Sequence, residues 1–205
     1  LKRKLLIFTR YPVAGRTKTR LMPILGAEGA AALQRRMTEL TLRTADQLAA
    51  ATGVELEIFH AGGRTTQMAA WLGPHRRYCR QGAGDLGAKI SRAFAAAFQD
   101  GCRQVMLIGS DCPALSPELL ATAFSRLTNH DLVLGPATDG GYYLVGLTRA
   151  QPLLFTPRSW GAGLLLAETI AVAQKNALKF SLLEELPDVD RPADLKYFGN
   201  YPDPE

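Results

Sequence analysis

The sequence predicts an α/β fold with a mostly parallel sheet, on three observations. Short apolar runs rich in Val, Ile and Leu, at residues 4–9, 104–109 and 131–135, read as strands buried on both faces, as strands of parallel sheets are. Between them lie segments whose apolar residues recur at helical spacing. The two patterns alternate from end to end with no repeat, linker or low-complexity run, so residues 1–205 are expected to form a single domain.

Taken in order, residues 4–9 form the first strand, and a loop with Pro12, Gly15 and several cations follows. Apolar side chains at Ala30, Leu33, Met37, Leu40 and Leu48 predict a helix over about 27–51, stopped by Gly53. Residues 54–60 alternate as a strand, 64–72 read as a short helix and 76–80 as a short strand. Asp85 is placed to cap a helix running to about Gln99. The strand at 104–109 ends abruptly at Gly109-Ser110-Asp111-Cys112-Pro113, and Ser116-Pro117 opens the next helix as N-cap and first residue. After the strand at 131–135 comes the turn Pro136-Ala137-Thr138-Asp139-Gly140-Gly141, then a β-segment at 142–147. A helix at about 164–174, a strand at 178–183 and a terminal helix after residue 190 complete the chain.

Composition narrows the function classes. No apolar run approaches the roughly 20 residues of a membrane span. Residues 5–9 are too short for a signal-peptide core, so a cytoplasmic address is expected. Cys79, Cys102 and Cys112 are odd in number and lack metal-type spacing, which predicts reduced thiols. The net charge of +5 suits an anionic partner. The basic residues form no block with interleaved aromatics, which points away from nucleic acid and toward a phosphorylated small molecule. The oligomeric state stays open, a homodimer included. His60, His75 and His130 show no metal-type spacing and read as structural, and no Gly-x-Ser-x-Gly motif supports a hydrolase.

Two constellations remain. In the loop after the first strand, Gly15 lets backbone N–H groups approach a ligand, and Lys18 and Arg20 supply charge for phosphate oxygens, although the spacing is not that of a Walker A loop. The second is a set of carboxylates, Asp111, Asp139, Asp188 and Asp190, each just beyond a predicted strand. Each has a plainer reading alone, as a turn residue or helix cap. Together they converge on the carboxyl edge of a parallel sheet, where ligands bind. Converging carboxylates repel unless a cation joins them, and hard oxygen ligands favour Mg²⁺ or Mn²⁺. Trp160 reads either as a stacking surface for a sugar or as a partly buried aromatic before a helix.

With these pieces assembled, the chain resembles the DUF2064 family of bacterial glycosyltransferase-like proteins. The matching segments are residues 12–21, Gly84-Asp85-Leu86-Gly87, Gly109-Ser110-Asp111-Cys112-Pro113, residues 135–144 and Asp188-Val189-Asp190. More distantly the set is similar to nucleotidyltransferases, including guanylyltransferases. The resemblance implies a three-layer α/β/α sandwich of the GT-A, nucleotide-diphospho-sugar transferase type, and a metal-dependent transferase using a nucleotide or nucleotide-sugar and an unknown acceptor. It implies Gly15, Lys18 and Arg20 on the phosphates, with Gln81 reading the base edge beside Asp85. Asp111 matches the principal metal ligand, and Asp190 or Asp188 the second. The turn with Gly140, Gly141 and Tyr142, together with Trp160, would face the acceptor or sugar. Asp111, Lys18 and Asp139 are the catalytic candidates, Asp139 as a base toward an acceptor hydroxyl. Two departures from the family pattern stand out: Arg10 in place of the usual Lys, and Trp160-Gly161-Ala162 in place of Trp-Ser-Thr. Two alternatives stay open, a nucleotidyltransferase releasing pyrophosphate and a catalytically silent nucleotide-binding protein.

Overall fold

A computed structural model describes residues 1–156 and 163–199. Among these residues seven strands form one sheet: β1 (Arg3–Arg10), β2 (Glu55–Ala61), β3 (Arg77–Arg80), β4 (Gln104–Ile108), β5 (Leu132–Pro136), β6 (Tyr142–Leu147) and β7 (Phe180–Leu182). Their spatial order is β3-β2-β1-β4-β6-β5-β7. Every pairing is parallel except those of β6, which runs antiparallel to both β4 and β5. The short Asp139 turn joins β5 to β6 directly, and so tight a connection permits only an antiparallel pair.

Among the described residues five α-helices cover the two faces: α1 (Met22–Thr52), α2 (Thr65–Leu72), α3 (Leu86–Gln99), α4 (Pro117–Arg126) and α5 (Leu165–Lys175). The division follows from strand alternation. Leu5 and Ile7 of β1 point to the face packed by Leu42 and Leu48 of α1, Met68 of α2 and Phe124 of α4. Leu6 and Phe8 point to the other face, where Ile90 and Phe94 of α3 and Ala173 of α5 close the core. The result is the three-layer α/β/α sandwich the sequence predicts. All five residues of β4 and of β5 are buried, as their unbroken apolar runs require.

Element boundaries differ in three places. α1 begins at Met22 rather than about residue 27, but its first turn is set off by Gly26 at φ 69°, so the continuous helix does start where the apolar spacing starts. The last strand shrinks to Phe180–Leu182, and the expected terminal helix is a 3-10 turn at Pro192–Tyr197. His60 and His130 serve the fold, each with a ring nitrogen bound to a nearby backbone carbonyl. All three cysteines are free thiols. No helix among the described residues is long and apolar enough to cross a membrane.

Strand order reverses between β1 and β4, and carboxyl-end loops diverge there to leave a crevice. At the opposite, amino edge the sheet is held by a buried ion pair. Lys4 Nζ, 1% exposed, donates to Glu57 Oε2 at 2.9 Å and to Asp100 Oδ2 at 3.0 Å, while Glu57 also accepts from Cys79 Sγ at 3.1 Å. Burial alone would lower the Lys4 pKa, but the bonds to Glu57 and Asp100 outweigh it and hold the value above 10.5. Burial would raise that of Glu57, yet its bonds to Cys79 and Lys4 keep it below 4.5. Lys4→Ala leaves Glu57 as an uncompensated buried charge and is expected to cost about 3–5 kcal/mol. The folded-state pKa of Glu57 is depressed, so its share of that stabilisation is present above pH 4.5 and fades as pH falls through the lowered value. Urea unfolding of both proteins across that range checks this: the gap between them narrows on the acid side.

Candidate functional site

The crevice at the switch point is a cavity of about 680 Å³. Its charges are divided between four of the segments that line it. The end of β1 and the loop after it bring Arg10, Arg16, Lys18 and Arg20; the segments after β4, β5 and β7 bring Asp111, Asp139, Asp188 and Asp190.

The cationic loop is shaped by its own hydrogen bonds. Thr17, buried at 1% exposure, accepts from Val13 N through Oγ1 at 3.0 Å and returns the bond to Val13 O at 3.1 Å. Gly15 turns the chain at φ 78°, and Lys18 itself sits in the left-handed region at φ 50°, uncommon for a residue with a side chain. That backbone directs the Lys18 side chain inward, where it is 3% exposed. Its ammonium donates to Val189 O at 2.5 Å and lies 2.9 Å from Asp111 Oδ1 and 3.9 Å from Asp190 Oδ1. Arg20 reaches the other oxygen of Asp190 from the surface at 2.5 Å.

The acidic wall is assembled by backbone contacts. Val189 N donates to Asp111 O at 2.8 Å, and Leu186 N to Pro136 O at 3.0 Å, so the segment after β7 lies along the ends of β4 and β5. The Asp188 carboxyl is pushed up to about 6, first by burial and then by the negative charges of Asp139 and Asp111. Asp139 closes its own turn, with Oδ1 accepting from Gly141 N at 2.8 Å.

Asp111, Asp139, Asp188 and Asp190 all line the cavity at the carboxyl edge of the sheet. The cation joining Asp111 and Asp190 is Lys18. Among the described residues no group of three or more acidic, His or Cys side chains is arranged as a ready metal cage, so Asp111, Asp188 and Asp190 do not form one. Gln81 and Tyr142 line the cavity. Gln81 Nε2 is committed to Thr9 O and Phe59 O, both at 3.2 Å, which leaves its carbonyl oxygen for a ligand. Asp85 caps α3 by accepting from Ala88 N at 2.8 Å, and Leu86 rather than Asp85 lines the cavity. Gly141 and Gly163 line it, and Gly140 does not. Trp160, with Gly161 and Ala162, falls outside the described residues.

Sequence reasoning missed the neutral floor of the cavity, formed by Thr9, Gln34 and Ser110. A signal was present. Gln34, Thr38, Thr41 and Thr44 follow one another at spacings of four, three and three, a polar stripe on a face of α1 that is otherwise apolar, and all four are buried.

A seven-stranded, mostly parallel sheet with one antiparallel strand and a crevice at its switch point is a GT-A-like fold, shared with nucleotidyl- and sugar-transferases. The chain belongs to the DUF2064 family, described as uncharacterized protein conserved in bacteria, whose family model matches residues 44–162. It is similar to a provisionally assigned nucleotide-diphospho-sugar transferase from Desulfovibrio desulfuricans G20, with 32% identity and a TM-score of 0.90 over 98% of this chain and 87% of that one. At 12% identity and a TM-score of 0.62 it shares its fold with CMP:2-keto-3-deoxy-manno-octonic acid synthetase complexed with CTP, over 97% of each chain. Glucosyl-3-phosphoglycerate synthase from Mycobacterium tuberculosis, in complex with Mg²⁺ and uridine diphosphate, shares it at 13% identity and a TM-score of 0.60, over 95% of this chain and 74% of that one. No curated protein matches the sequence.

The Asp139 turn yields a stability prediction. Gly140 has φ 85°, and a Cβ there would lie 2.1 Å from Gly163 O. Gly140→Ala is expected to cost at least about 1–2 kcal/mol from the backbone conformation alone. It should also loosen the contact in which Leu166 N donates to Gly140 O at 3.0 Å. Thermal unfolding against Gly141→Ala, at a position without positive φ, checks it.

Proposed function

We propose that this protein is a metal-dependent transferase that binds a nucleotide or nucleotide-diphospho-sugar in the cavity between β1 and β4. The observation that carries the reading is the Lys18 ammonium, buried at the boundary between a cationic loop and an acidic wall. A pyrophosphate laid across that boundary meets Lys18, Arg16 and Arg20 on one side. On the other it meets Asp111 and Asp190, whose like charge requires a cation between them and the phosphate. Their side chains are 46% and 36% exposed, so both retain access to the cavity. This donor set fits Mg²⁺ or Mn²⁺ in the mode where one or two carboxylates share the ion with substrate phosphates and water. Such an ion supplies charge neutralisation on the phosphate oxygens.

The chain's own residues then act by position and charge. Lys18 and Arg20 hold the phosphates and stabilise the charge that gathers on a departing nucleoside diphosphate. Gln81 presents its carbonyl oxygen toward the base. Asp139, fixed by its bond to Gly141 N, keeps its second oxygen for a proton from an acceptor hydroxyl. The similarity to a synthetase bound to CTP favours a second reading, nucleotidyl transfer. There a phosphorylated acceptor attacks the α-phosphate of a nucleoside triphosphate and pyrophosphate leaves. Pyrophosphate rather than nucleoside diphosphate among the products distinguishes the two.

A thermal-shift panel of nucleoside triphosphates, diphosphates and nucleotide-sugars, with and without Mn²⁺, tests the proposal. A ligand at 100 times its dissociation constant stabilises by about 2.7 kcal/mol, a rise of roughly 5–10 °C for a chain of this length. The rise is expected to need Mn²⁺ and to vanish in Asp111→Asn. An Asp111→Asn protein with the full Mn²⁺-dependent shift sinks the metal assignment.

A further inference from the structure

Gln34 carries a feature that the charge arrangement does not use. It is 4% exposed, yet it lines the cavity. One end of its amide is fixed by three hydroxyls: Nε2 lies 3.1 Å from Ser110 Oγ, 3.1 Å from Thr38 Oγ1 and 3.4 Å from Thr9 Oγ1. Thr9 and Thr38 are joined to each other at 2.7 Å. The four side chains are all at least nine-tenths buried, and they tie α1 to the ends of β1 and β4 at the switch point. The other end of the amide has no protein partner among the described residues. Nor is it one of the buried polar atoms sealed from solvent without a partner, so it opens on the cavity. A polar group held this rigidly, and left unpaired at its outer end, is built to meet a ligand.

We propose that Gln34 reads a hydroxyl of the nucleotide's ribose and is a specificity-determining residue of this site. The inference rests on the nucleotide reading of the cavity. Two arguments select the ribose. The first is position. Ser110, bonded to Gln34 Nε2, precedes Asp111, so the amide is anchored at the ends of β1 and β4 next to the phosphate-binding side of the cavity, whereas Gln81 is tied to Thr9 O of β1 and Phe59 O of β2, one strand farther along the sheet edge. In a nucleotide the pentose separates phosphate from base. The second is chemistry. The partners fixing the amide are hydroxyls, which donate or accept, so they hold it with either oxygen or nitrogen outward. A sugar hydroxyl also does both and pairs with either atom, whereas each base-edge group is a fixed donor or a fixed acceptor and pairs with only one of the two orientations.

The test uses isothermal titration with UDP, GDP, CDP and ADP in the presence of Mn²⁺, each also as its 2′-deoxy and 3′-deoxy form, on the unaltered protein and on Gln34→Met. For the diphosphate that binds best, removal of one ribose hydroxyl is expected to weaken binding about tenfold, because it also leaves the amide unpaired. In Gln34→Met the ribonucleotide should fall about tenfold, to the level of that deoxy form, which itself changes little. Equal affinity of the unaltered protein for ribo and both deoxy forms overturns the inference, and this arm does not depend on the variant folding. Equal weakening of all forms in Gln34→Met shows a structural role and overturns it too. If no diphosphate binds the unaltered protein, the nucleotide reading falls, and the inference falls with it.

Discussion

The structure around the cavity depends on one buried charge, the ammonium of Lys18. Removing a cation from water carries an effective penalty of several kcal/mol, which is offset only by well-placed partners. Lys18 has three: the carbonyl of Val189, the carboxylate of Asp111 and, at longer range, that of Asp190. They come from chain segments far apart in sequence, so the ammonium can be satisfied only when the loop after β1, the end of β4 and the carboxyl-terminal segment are all in place. The left-handed backbone at Lys18, which costs about 1–2 kcal/mol, is held by the same arrangement. The surface contact of Arg20 with Asp190 adds little beside it, because Arg20 is 61% exposed.

Apolar packing secures the same junction from beneath. Val189, between the two carboxylates, is fully buried against Leu21, Leu33 and Met37, with Leu195 and Phe198 packed alongside. Its backbone N–H binds Asp111 O while its carbonyl accepts from Lys18. One residue with an unreactive side chain thus fixes the acidic wall in three ways. The wall is not fully relaxed: burial first, and then the charges of Asp139 and Asp111, push the Asp188 carboxyl up to about 6.

How much of this was legible in the sequence depends on how local each cause is. Strands buried on both faces write themselves as apolar runs, and β4 and β5 are fully buried, so their positions could be read directly. Gly53, Asp85 and Ser116 mark helix ends through their own backbone freedom or side-chain oxygen, and each does so in the structure. The aspartates after the strands were readable because strand ends share one sheet edge. Their partner was not. Convergent carboxylates require a cation, but spacing carries no information on whether that cation is a metal or a lysine brought from 93 residues away in sequence by a left-handed turn. Gln34 escaped for another reason. Mid-helix polar residues usually face water, and only the packing of α1 shows that this stripe faces inward.

The neutral floor and the charged walls answer different physical demands. The cations of the loop after β1 act over several ångströms and attract any phosphate, which gives affinity with little selectivity. The floor lies where α1 packs on the carboxyl ends of the adjacent strands β1 and β4, and a charged residue there would add its desolvation cost to that of Lys18. Gln34, Thr9, Thr38 and Ser110 instead satisfy one another through short, directional bonds, so the floor is rigid without adding net charge. Directional bonds fail within a fraction of an ångström where Coulomb attraction hardly changes. On the proposed nucleotide reading, discrimination between similar nucleotides belongs to the floor and to Gln81, and retention of the phosphates to the cationic loop. The junction at Lys18 keeps the two in register.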